Sequence, residues 1–123
     1  MSKGFLDKNI TKATNGRGDY APDSGLTIAG SSEGSLTLQT NCYQIQVYNK
    51  LKHESTSYSG DARISFVSGG TADSDGDHDT AAGRYFLVPS GSARVFDVKE
   101  YDTVYYKRDD ASDAALDIQE RIG

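Results

Sequence analysis

Between residues 43 and 122 the apolar side chains keep returning two positions apart. Tyr43, Ile45 and Val47 do so, as do Ile64 with Phe66, Phe86 with Val88, Val104 with Tyr106, and Leu116 with Ile118. A period of two places alternate side chains on one face of an extended strand, so each run presents one apolar and one polar face. Such strands bury their apolar faces by pairing sheets, which predicts an all-β fold: a single antiparallel β-sandwich of jelly-roll or immunoglobulin-like type.

With 123 residues the chain has room for one domain. Leu, Ile, Val and Phe make up about a fifth of it, a low share for a folded domain. Eight tyrosines add apolar bulk, and a net charge of -5 is modest, so folding is expected around a thin core. A thin core favours stability drawn from a partner surface or a homo-oligomer. The single Cys42 cannot form an internal disulfide. This predicts assembly in a reducing cytosol, with a metal ligand or an intermolecular pair as alternatives. No apolar run approaches a membrane span, and the polar N-terminus lacks the apolar stretch of a signal peptide. Neither membrane nor nucleic acid is an expected partner. Phosphate binding needs clustered Lys and Arg, and the lone basic cluster, Lys50, Lys52 and His53, runs straight into Glu54.

Residues 1–24 read differently from the rest. Phe5, Leu6 and Ile10 stand isolated among polar residues, without helical or strand periodicity. Lys3, Lys8, Lys12 and Arg17 against Asp7, Asp19 and Asp23 give this segment +1, leaving -6 for residues 25–123. The simple reading is a loose terminus. The sharper one is an extended arm, with Phe5, Leu6 and Ile10 as anchors and Lys3, Lys8 and Lys12 steering it onto another subunit. In the body, strands are expected at residues 26–29, 35–40, 42–49, 62–68, 84–89, 93–99, 103–107 and 115–122. Long loops are expected at 50–61 and 69–83. Ser90, Gly91 and Ser92 suggest a hairpin joining the strands at 84–89 and 93–99, Gly91 supplying the positive φ. Residues 111–119 alone could start as a helix capped by Ser112, though the alternation of Leu116, Ile118 and Glu120 favours strand.

Chemistry-bearing motifs are few. Asp73, Asp75, Asp77 and Asp79 alternate along one loop and could converge on calcium. The fit to a helix-loop-helix site is poor, because Gly76 falls fourth and Arg84 holds the place of the closing Glu. A solvated acidic tip that keeps an edge from pairing explains the same residues. No other cofactor is suggested. His78 among these aspartates could sense pH or bind metal, but an exposed loop histidine is the plainer reading. Arg17-Gly18-Asp19 and the sequon at Asn9 have meaning only in an exported protein. No nucleophile elbow or triad context surrounds any Ser, Cys42 opens a strand with no nearby base, and the expectation is a protein that is not an enzyme. Tyrosines spread over the body, with Tyr105 and Tyr106 adjacent so that one must face outward, could anchor an interface or stack on sugars.

Residues 43–122 resemble the small β-sandwich structural proteins of tailed bacteriophage virions. The resemblance lies in strand order and turn placement. An Ala-bearing strand, Ala62-Arg-Ile-Ser-Phe66, is followed by an acidic Gly-rich loop, then by Tyr85-Phe-Leu-Val-Pro-Ser-Gly91, a return strand and a Glu-bearing final strand. The charged N-terminal segment and the density of aspartates at 73–79 depart from that pattern. The resemblance implies a capsid decoration or cement protein on the outer head surface, made in the host cytoplasm. It would bind the major capsid protein or neighbouring virion subunits. A carbohydrate- or receptor-binding module of a tail fibre is the alternative.

Overall fold

A computed structural model of the chain describes residues 19–20, 26–72 and 84–123. The described residues form strands and turns without helix, arranged as a β-sandwich of two antiparallel sheets. The first sheet contains β1 (Asp19–Tyr20), β2 (Thr27–Ala29), β4 (Cys42–Lys50), β9 (Ala93–Asp97) and β11 (Ala114–Ile122). Here β11 pairs with β4, β4 with β9, and β1 and β2 share the far side of β11. The second sheet runs β3 (Gly34–Thr37), β10 (Thr103–Arg108), β7 (Ala62–Ser65), β8 (Phe86–Val88). A small hairpin, β5 (Lys52–His53) with β6 (Thr56–Ser57), stands apart from both.

The inward faces follow the period of two. Ile45, Val47, Leu116 and Ile118 from the first sheet meet Ile64, Val88 and Val104 from the second in one apolar cluster. Cys42 is buried at its margin, where burial pushes the thiol up from its ordinary value while Sγ–H donates to Gln44 O at 3.4 Å. Residues 114–122 are strand throughout. A helix there would have turned Leu116 and Ile118 away from a common face.

Connectivity departs from the sequence expectation. The strands around Gly91 do not form a hairpin: β8 pairs with β7 and β9 with β4, in opposite sheets. Gly91 does take φ 81°, but its N–H donates to Asn49 O at 2.8 Å, so the turn docks on the end of β4 and carries the chain across the sandwich. Crossing sets Phe86 against Phe96 and brings Val88 into the same core from the opposite sheet, which a hairpin within one sheet could not do. The turns after β2 and β10 switch sheets in the same way. The expected loop at 50–61 contains the β5–β6 hairpin, whose turn places Glu54 at φ 55°.

A buried asparagine and a buried glycine fix the ends of strands. Asn49, fully buried on β4, donates Nδ2–H to Gly60 O at 2.9 Å and to Val88 O at 3.0 Å, tying both sheets together. Gly60 lies so close to the chain before β11 that a Cβ would sit 1.9 Å from Ser112 O.

Candidate protein-binding face

The two sheets end side by side in β8 and β9, and the gap between these edges is filled by aromatic rings. Phe96 comes from β9, Phe86 from β8, Phe66 follows β7, and Tyr101 lies between β9 and β10. Phe66 meets Phe96 edge-on with centroids 5.6 Å apart, Phe86 lies 5.1 Å from Phe96, and Tyr101 stacks on Phe66 at 5.0 Å and 20°. Ring pairs at these separations pack well beyond their buried area. Arg94 crosses the gap over Phe86 and Phe96, at 5.2 and 5.4 Å to their centroids, and donates Nη1–H to Leu87 O at 3.1 Å.

Above these rings lies a groove of 440 Å³ lined by Phe66, Val67, Phe86, Val95, Tyr101 and the flanking Arg94, Phe96 and Asp97. Its rim is unusually apolar for a surface. Val95 is 58% exposed, Tyr101 47% and Val67 44%. Apolar residues clustered in this way mark interaction sites more often than residues scattered singly.

A second organised region lies on the outer side of β7. Arg63 is only 7% exposed there because residues 69–72 and Tyr85 fold over it. Its Nε–H donates to Asp109 Oδ1 at 2.7 Å, Nη1–H to Thr71 O at 3.0 Å, and its guanidinium lies 4.6 Å from the Tyr85 ring centroid. Ser65 Oγ–H donates to Arg84 O at 2.6 Å. Glu33 accepts from Gly69 N–H at 2.9 Å, from Thr71 N–H at 3.3 Å and from the Thr71 hydroxyl. Burial pushes the Glu33 carboxyl up, but these three donors and the nearby Lys107 outweigh it and hold the group below its ordinary value. Both stems of the segment 73–83 are thereby tied to the second sheet.

The sequence candidates fall largely elsewhere. Phe5, Leu6, Ile10, Lys3, Lys8 and Lys12, and the aspartates Asp73, Asp75, Asp77 and Asp79, lie outside the described residues. Among the described residues no three His, Cys, Asp or Glu are grouped to hold a metal ion. No helix among them is long and apolar enough to cross a membrane. Of the tyrosines considered as anchors, Tyr101 reaches the groove, Tyr48 lies exposed on β4, and Tyr105 and Tyr106 are both half-buried. Sequence reasoning missed Val67, Val95 and the phenylalanines as one surface. The available signal was Val95, an apolar residue on the strand face it shares with Ala93 and Asp97, opposite the face that carries Phe96.

Neither a family model nor a curated protein matches the chain. Among solved structures, a chain from the Bacillus endospore appendages, described as "a novel family of disulfide-linked pili", matches with 18% identity over 94% of this chain and 97% of that one. Its TM-score of 0.43 is too low to carry an argument about this chain.

Proposed function

We propose that this chain is a non-enzymatic structural subunit that docks on a larger protein assembly, and specifically a decoration or cement protein on the outside of a phage head. The observation that carries the reading is the apolar groove at the open side of the sandwich, with Val67, Val95 and Tyr101 at its rim. Burying such a patch on a capsid subunit would offset the thin core by mass action. The resemblance in strand order and turn placement supports the virion setting, and the net charge of -5 suits an outer surface better than one facing DNA. Residues 1–24, with Phe5, Leu6 and Ile10, would serve as a second attachment element. Mass spectrometry of purified virions tests the setting, and absence of the chain from them overturns it. Binding to undecorated heads tests the face: Tyr101→Ser with Val67→Ser should abolish it.

A second reading has one observation in its favour. Tyr101 is backed by Phe66 on one side and keeps its other face open, the arrangement a sugar ring stacks upon. Selective binding on a glycan array, lost in Tyr101→Ala, would favour a carbohydrate-binding module.

A further inference from the structure

Edge strands expose unpaired peptide groups and are usually blunted by charge, proline or cover. At β8 the edge is protected, since Arg94 occupies Leu87 O and Pro89 follows directly. At β3 the exposed positions are Ser35 and Thr37. β9 differs. It pairs with β4 alone among the described residues, and the β-branched Val95 stands on it as a large exposed apolar side chain.

The ladder defines which peptide groups of β9 turn away from β4. Val98 N–H donates to Tyr43 O at 3.0 Å and Asn49 N–H to Ser92 O at 2.9 Å. Bonding positions alternate along an antiparallel strand, so Arg94 and Phe96 turn their peptide groups to β4. Ala93, Val95 and Asp97 turn theirs outward.

We propose that β9 is a self-pairing edge, joining two copies of this chain antiparallel about a two-fold axis at Val95 so that their five-stranded sheets become one. The strand is complementary to itself in that register. Val95 faces Val95, Ala93 faces Asp97, and Arg94 faces Phe96, so no like charges stand opposite each other and each guanidinium, already over Phe86 and Phe96 of its own chain, gains a third aromatic neighbour. A shift of the axis to Asp97 would set two aspartates against each other. A shift to Ala93 would place Asp97 opposite Pro89, which has no N–H to give. An isologous contact of this kind closes on itself and stops at two copies. This pairing does not depend on the virion reading, since it is a property of the isolated protein.

The test is the mass of the purified full chain by sedimentation equilibrium across the micromolar range. Twice the 13.3 kDa chain mass is expected. Val95→Pro removes the outward N–H but leaves the β4 ladder intact, and should give a monomer with an unchanged circular dichroism spectrum. Val95→Cys supplies a second readout that needs no loss of stability. Directly opposed strand residues lie about 5.5 Å apart at Cα, within disulfide reach. Mild oxidation should therefore link Val95→Cys to its own copy, whereas Ala93→Cys alone should stay unlinked. A wild-type monomer, a dimer that survives Val95→Pro, or crosslinking of Ala93→Cys in place of Val95→Cys would overturn the proposal. A mass that climbs past two copies and collapses on deleting residues 1–24 would also overturn it, in favour of the edge receiving that segment from a neighbour.

Discussion

Arg94 and Leu87 sit on different sheets, and the Nη1–H of the first donates to the carbonyl oxygen of the second at 3.1 Å across the open side of the sandwich. The guanidinium lies over Phe86 and Phe96 while doing so, which couples a hydrogen bond to cation–π contact. Truncation by Arg94→Ala should lower stability by about 1–2 kcal/mol, part from the lost bond and part from the uncovered rings. Arg94→Lys should recover less than half, because an ammonium lacks the planar fork. Urea denaturation of the three proteins measures this.

Asp109 matters more to stability than its position in a turn suggests. It accepts from Arg63, whose guanidinium is nearly inaccessible to water. Removing the carboxylate by Asp109→Ala leaves a buried charge short of its counter-ion, and a loss of about 3 kcal/mol is expected. Combining Arg63→Met with Asp109→Ala should cost less than the sum of the two single changes, a coupling read from a double-mutant cycle in thermal melts.

Glu33 gives the stem of the 73–83 segment a pH dependence of defined sign. Its carboxyl is held below the ordinary value of 4.5 in the folded state. The stabilisation is therefore fully present above that value and is lost as pH falls through the lower folded value. Subtracting the stability curve of Glu33→Gln from that of the native chain should give a difference that is flat near neutrality and shrinks in the acid range. A difference that grows on acidification would refute the assignment.

Asn49 faces two carbonyl oxygens with its amide and leaves Oδ1 buried without a hydrogen-bond partner among the described residues. Asn49→Asp reverses the logic of the site. Neutral, the new carboxyl can donate to one carbonyl; ionised, it donates to neither and carries a buried charge. Its folded-state pKa should rise, so the variant should lose stability as pH climbs from the acid range toward neutrality. Asn49→Ala should be destabilised by about 2–4 kcal/mol without that slope. Chemical denaturation at a series of pH values separates the two.

Much of the sandwich was legible in the chain itself. Side-chain direction in a strand depends only on neighbouring residues, so the period of two assigned Ile45, Val47, Ile64, Val88, Val104, Leu116 and Ile118 to the buried face, where all of them lie. The positive φ at Gly91 followed from the same local reasoning. Strand partners did not. A Gly-centred turn permits both a hairpin and a crossing between sheets, and the choice at Gly91 was made by burying Phe86 and Phe96 against each other and by docking on Asn49 O. Arg63 reads in sequence as a solvent-facing residue, yet residues 69–72 and Tyr85 return to cover it. The groove is the clearest case. Phe66, Phe86, Val95 and Tyr101 come from separate segments and share no spacing. They form one surface because β7–β8 pairing and β4–β9 pairing bring two sheet edges together, and those long-range contacts are carried by tertiary packing, not by the order of residues along any one strand.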